Sequence, residues 1–352
     1  MLELPLSDKS VAPDLYFRSS GHVFWTSIIG AMVKPIGVEI SSFGLALPDE
    51  IESADQLSEK IGRSADWIKR RSGVHNRHIS NISMPALAAK AAKLALGDGP
   101  KPDLIINASG VAYQVLPDTS VFIQQELGFE GIPSFSIHAT CLSFIVALQN
   151  AASLIQTGVY KRVLIVSADL GSRGRNFDEP ESAALLGDGA AAVVLEPSES
   201  TSLLAYHFKT WPSGAKHTEV RGGGTRLHPQ NPATTPADNL FSMNGPAVFK
   251  MARKLGGPMI QELIDKAGLK KSDIDLVVPH QASGFGVKVY TRYGFDEDKI
   301  VNVVAEHGNC VAASIPMALV SALQSNRIKS GDNVMLIGTG AGLSIGGLIL
   351  KW

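Results

Sequence analysis

Apolar residues recur along this chain in two alternating rhythms, and that alternation predicts the elements. Short continuous apolar runs, Asp103–Asn107, Tyr160–Asp169, Leu186–Leu195, Ile274–Pro279, Asn333–Ile337 and Gly342–Leu350, read as strands buried on both faces. Between them lie stretches with helical spacing: Met84–Leu96, Asp118–Leu127, Phe249–Ala267, Gly284–Tyr293 and Ala312–Ser325. A strand is also predicted at Ile36–Ile40 and another at Lys299–Val304, and short helices open at Ser53 and Ser64. Residues 210–245, with Gly222 to Gly224 and Pro229, Pro232 and Pro236, form the longest irregular stretch.

The order of these elements repeats. KPDLIINASG in the first half answers KSDIDLVVPHQ in the second, and the run that starts at Cys141 answers the one that starts at Cys310. Such a duplication implies an α/β protein of two pseudo-symmetric βαβ-type halves, with any shared site at their join. The expected division is an N-terminal extension over 1–34, a first half over 35–200 and a second half over 201–352.

One junction is chemically loaded. Pro133–Ile137 predicts a strand, and Leu142, Ile145, Val146, Leu148, Ala152 and Ile155 predict a helix, so Cys141 falls at the strand-to-helix turn. Unpaired amides and the positive end of the helix dipole there are expected to lower the thiol's pKa and to hold an oxyanion. In the second half, His280 ends a strand and Asn309 sits on a loop before a helix.

Composition narrows the class. The 352 residues are 45% hydrophobic and 18% charged with a formal net charge of −1, an ordinary globular balance that gives no electrostatic case for nucleic acid or an anionic membrane. Two cysteines without a CxxC spacing give neither a disulfide framework nor a zinc site, which fits a reducing cytoplasm. Glu3 and Asp8 stand where a signal peptide would be basic, and Val23–Val33 is too short to span a bilayer. Residues 1–31 are expected to lie outside the catalytic core.

Six ordered stretches carry a family resemblance: DWIKRRSG at 66–73, ATCLSF around Cys141, LGDGAAAVVL at 186–195, VVPHQA at 277–282, HGNCVAASIP at 307–316 and GTGAGLSIGG at 338–347. From Pro35 to Trp352 the chain resembles the β-ketoacyl-acyl-carrier-protein synthase III branch of the thiolase superfamily. The resemblance implies a layered α/β/α/β/α fold and decarboxylative Claisen condensation through an acyl-cysteine. It makes Cys141 the nucleophile, His280 and Asn309 the pair that binds the extender thioester, and the backbone amides of Cys141 and Ala341 the oxyanion hole. Trp67 and Arg71 match positions that sandwich the adenine of coenzyme A. Lys288 and Arg292 lie on the helix that would dock a carrier protein, Phe285 standing where the family has an arginine. Leu116 falls where an aromatic from a homodimer partner fills the acyl pocket, and Leu142 follows the cysteine where the family has a small residue. Cys310 is expected to be structural. The implied substrates are acyl-coenzyme A and acyl-carrier protein, with no metal or organic cofactor, no nucleic acid and no membrane. Two other readings follow from the departures: an enzyme of secondary metabolism that joins two acyl chains or acylates another acceptor, and a silent partner subunit, against which the retained Cys, His and Asn argue.

Overall fold

A computed structural model describes residues 34–352. The expectation for residues 1–31 falls outside the described residues.

The first half runs β1 (Val38–Ala46), β2 (Glu50–Ser53), α1 (Ala54–Ile61), α2 (Ala65–Ser72), β3 (Asn76–Ile79), α3 (Met84–Leu96), β4 (Leu104–Asn107), α4 (Thr119–Leu127), β5 (Ser134–Ser136), α5 (Ser143–Gln156), β6 (Val163–Leu170), α6 (Pro180–Ala183) and β7 (Asp188–Pro197). The second continues with β8 (Ser202–Thr210), β9 (Thr218–Glu219), β10 (Ser242–Met243), α7 (Gly245–Lys266), β11 (Leu276–Pro279), α8 (Gly284–Arg292), α9 (Val304–His307), α10 (Ser314–Gln324), β12 (Asn333–Gly340) and β13 (Ser344–Lys351).

Two sheets share one pattern. The first has the order β1-β7-β6-β4-β5 and the second β8-β13-β12-β11. In each, two antiparallel pairings are followed by a parallel one, β6 with β4 and β12 with β11. Helix α5 packs against β6 and β7 of one sheet and β8 and β13 of the other, and α10 likewise reaches both sheets, so these two helices form the middle layer. Their core, which includes Leu142, Phe144, Ile145, Leu148, Ile315 and Leu319, is continuous with strands of both sheets. Helix α3 covers the outer face of the first sheet and α7 that of the second. The layering is therefore α/β/α/β/α. Burial of apolar side chains on both sheet faces is what makes the strands read as unbroken apolar runs.

Two features depart from the sequence pattern. The strand expected at Lys299–Val304 reduces to one bridge, Ile300 to Val277, with the Val301 N–H donating to Val277 O at 2.9 Å. The Gln281 side chain ends it: its Nε2 donates to Val301 O at 3.1 Å and its Oε1 accepts from the Val303 N–H at 2.9 Å, satisfying the groups that a longer ladder would use. Conversely, β8 was not marked by a buried run. It alternates, with Leu203, Ala205 and His207 buried and their neighbours less so, the period of an edge strand with one inward face. No helix among the described residues is long and apolar enough to cross a membrane.

Candidate active site at the join of the two sheets

Helix α5 begins at Ser143, so Cys141 lies just before the first turn and not in it. Its cap is Leu142, which offers no side-chain hydrogen bond, and Thr140 takes a left-handed φ of 52°. This tight bend is held locally: the Ser143 hydroxyl donates to Thr140 O at 2.7 Å and accepts from the Ala139 N–H at 3.0 Å. A β-branched residue at positive φ is costly, and such strain concentrates where a side chain must be presented.

The thiol's electrostatics reverse the expectation. Burial pushes the Cys141 thiol up to about 12, and the Asp169 carboxylate pushes in the same direction, while the amides of Ala341 and of Cys141 itself pull it down. Desolvation of a thiolate outweighs two amides and a helix whose first turn starts beyond the sulfur. Cys141 therefore rests as a thiol, with the two expected oxyanion-hole amides beside it.

His280 continues β11, its N–H donating to Ile337 O at 2.9 Å, and its side chain is 5% exposed. Its Nδ1 has no hydrogen-bond partner among the described residues, and burial pushes its pKa down to about 4. The imidazole is neutral at physiological pH. Asn309 is held by two bonds: its Nδ2 donates to Ala282 O at 3.3 Å and its Oδ1 accepts from the Val311 N–H at 2.9 Å. A carboxamide has two N–H groups, so one remains for another acceptor.

His280 and Asn309 line one cavity of about 170 Å³, walled by Met243, Phe249, Val289 and Tyr293 from α7, α8 and their flanks. Cys141 is not on that wall. It connects to it through β12, where Gly338 touches both His280 and Leu142. A second groove between α2 and α8 gathers Lys69, Arg70, His75 and Lys288 around Phe285.

The remaining expected residues are more scattered. Trp67 is half-buried against the α1–α2 cluster with the Arg63 guanidinium 5.6 Å from its ring, and Arg71 is exposed nearby. Arg292 is exposed at the end of α8, away from the groove wall. Leu116 is 79% exposed on the loop before α4. Leu142 is fully buried, packed against Gly338, Gly340 and Gly346 in the central core, not on the cavity wall at His280. Cys310 is buried, its Sγ within 3.5 Å of His307 O. Sequence reasoning missed Asp169, although an acidic residue closing the apolar run VLIVSAD at a strand's C-terminal end was a visible signal.

The model of 3-oxoacyl-[acyl-carrier-protein] synthase III matches residues 135–212, and the model of that family's C-terminal domain matches 264–352. The β-ketoacyl-[acyl-carrier-protein] synthase III of Neisseria meningitidis serogroup A is 34% identical over 328 residues, covering 89% of this chain and 99% of that protein. This chain belongs to the synthase III family. The Symbiobacterium thermophilum member is 33% identical, over 91% of this chain and 99% of its own length. Among solved structures, the synthase III of Pseudomonas aeruginosa superposes with a TM-score of 0.81 at 31% identity, covering 90% of this chain and 98% of that one. OleA from Xanthomonas campestris, solved with bound lauric acid and lauroyl-CoA, shares the fold at a TM-score of 0.78 and 20% identity, covering 90% and 99%. As a synthase III family member the chain is a thiolase-type condensing acyltransferase.

Proposed function

We propose that this synthase III family enzyme condenses an acyl thioester with a malonyl-carrier-protein extender, with Cys141, His280 and Asn309 as its catalytic groups. The observation that carries the reading is the pairing of a thiol flanked by the amides of Ala341 and Cys141 with a neutral buried His280 and a half-engaged Asn309 carboxamide. In the first half-reaction Cys141 Sγ bonds to the acyl carbonyl carbon, the two amides hold the oxyanion, and the departing thiol carries away the proton that Cys141 gives up. In the second, the malonyl thioester loses carbon dioxide. N–H donors from His280 and Asn309 hold the resulting enolate oxygen, its carbon bonds to the acyl carbon, and the Cys141 sulfur leaves as thiolate and takes a proton from water to regain its resting thiol. The chemistry calls for no metal or organic cofactor beyond its thioester substrates.

Coenzyme A adenine is assigned to Trp67 and Arg71, and the carrier protein to α8 with Lys288 and Arg292. The basic groove of Lys69, Arg70 and Lys288 supports an anionic carrier and a phosphate-bearing arm. The edge of β5 that has no strand partner among the described residues, with exposed Phe135, Val111, Tyr113, Val115 and Leu116 around it, supports a homodimer in which Leu116 closes the partner's acyl pocket. Unpaired Cys141 and Cys310 support a reducing cytoplasm. Intact mass after incubation with acyl-coenzyme A, followed by product analysis on adding malonyl-carrier protein, tests the reading. An acyl adduct on Cys141 that is discharged into a β-ketoacyl product is expected; an adduct that malonyl-carrier protein never discharges rejects the condensation.

A further inference from the structure

Asp169, the penultimate residue of β6, is 1% exposed and receives hydrogen bonds from backbone N–H groups of both halves. From the first half, Gly110 donates at 3.0 Å and Val111 at 2.9 Å, at the start of the loop that leads to Leu116. From the second half, Ala312 donates at 3.0 Å and Ala313 at 3.2 Å, on the segment that follows Asn309. Gly110 permits this convergence, because a methyl group there would lie 2.5 Å from Val311 Cγ1. Val311 in turn sits at a φ of 49° with its N–H on Asn309 Oδ1. The chain of contacts thus runs from the carboxylate through Ala312 and Val311 to the Asn309 carboxamide. After burial, the charge of this carboxylate also pushes the Cys141 thiol upward, and it adds to the effect of burial and Asp188 on Cys310.

We propose that Asp169 is a positioning residue of this enzyme, fixing the Asn309 carboxamide for condensation by tying the backbone of Gly110, Val111, Ala312 and Ala313 to one carboxylate. The proposal rests on the roles given above to Cys141 and Asn309. Burial raises Asp169 to about 7 against the pull of its four amides, so above neutral pH the charge is present.

The test compares the full-length wild type with Asp169→Asn, which keeps shape and removes charge, and Gly110→Ala, which displaces the anchored turn and leaves the charge. Iodoacetamide labelling of Cys141 is followed by peptide mass from about pH 7 to about pH 9.5, beside acyl loading and condensation. In Asp169→Asn, kcat for condensation should fall on the order of tenfold or more, with acyl loading and Cys141 labelling retained. Gly110→Ala should lose condensation while its labelling profile matches the wild type. Wild-type condensation in either Asp169→Asn or Gly110→Ala overturns the proposal. Should Asp169→Asn fail to fold, Asp169→Glu supplies the charge at a displaced position, with a wild-type labelling profile and lost condensation expected, and a wild-type kcat counting against the proposal. Failure of wild-type Cys141 to accept any acyl group would instead reject the underlying reading.

Discussion

His280 and Leu142 meet across Gly338, where an added methyl group would lie 2.8 Å from His280 Cβ and 3.1 Å from Leu142 Cδ2. The strand β12 thus lies in contact with a residue from each functional segment, one beside the thiol and one on the cavity wall. Gly338→Ala should press on His280 and on the α5 cap together, destabilising the protein by about 1–3 kcal/mol and lowering condensation more than acyl loading. Denaturant unfolding and the two half-reaction assays check this; equal effects on both half-reactions would contradict it.

Cys141 should carry the acyl group and Cys310 none, since Cys310 is fully buried and its thiol is pushed well up by its surroundings. Peptide mapping after acyl-coenzyme A treatment should find the adduct on Cys141 alone, and Cys141→Ala should show none. An adduct on Cys310 would move the nucleophile.

His280→Ala and Asn309→Ala should each reduce condensation by about 100-fold or more while acyl loading of Cys141 stays measurable, because the amides that serve loading belong to Cys141 and Ala341. Intact mass reads loading and product formation reads condensation. Proportional loss of both in folded variants would show that the two steps share His280 or Asn309.

His280 also leaves a signature on stability. Its folded pKa of about 4 lies below the usual 6.5, so the unfolded chain binds the proton first and stability is lost as pH falls from 6.5 toward 4. Chemical denaturation at pH 7 and near pH 5 should show a smaller acid-side loss in His280→Gln than in the wild type. Asp169, raised from 3.8 to about 7, acts oppositely: its share of stability is present below 3.8 and is lost as pH rises through 7.

The proposed place of Leu116 at the partner's acyl pocket, where the resemblance expects an aromatic, sets an acyl-chain preference. A wild-type enzyme offered acetyl- and octanoyl-thioesters together should load octanoyl on Cys141, each added buried methylene favouring it by about 0.8 kcal/mol. Leu116→Phe should shift the adduct toward acetyl. Preferential acetyl loading by the wild type would remove Leu116 from the pocket.

Much of the architecture was legible because buried strands and amphipathic helices write their periods into the chain. Helix α3 matches its sequence span, from Met84 to Leu96, with Ser83 as its cap. What local pattern could not carry was the identity of partners distant in sequence. Gln281 substituting for a ladder at Val301 and Val303 requires knowing that two separated segments lie side by side. The raised Cys141 thiol has the same origin: a helix start is visible locally, whereas the burial and the Asp169 charge that overrule it come from β6 and the second half. Cys141, His280 and Asn309 were readable as residue types at strand ends and loops; Asp169 became significant only once its amide partners from Gly110 to Ala313 converged.

Strand β5 ends at Ser136, a short chain segment before Cys141, and its outer edge has no ladder partner among the described residues. Any strand that docks there stiffens the segment from Ile137 to Thr140 that sets the nucleophile's bend. Assembly and reactivity would then be linked by mass action, so that specific activity per milligram declines on dilution well before the protein unfolds.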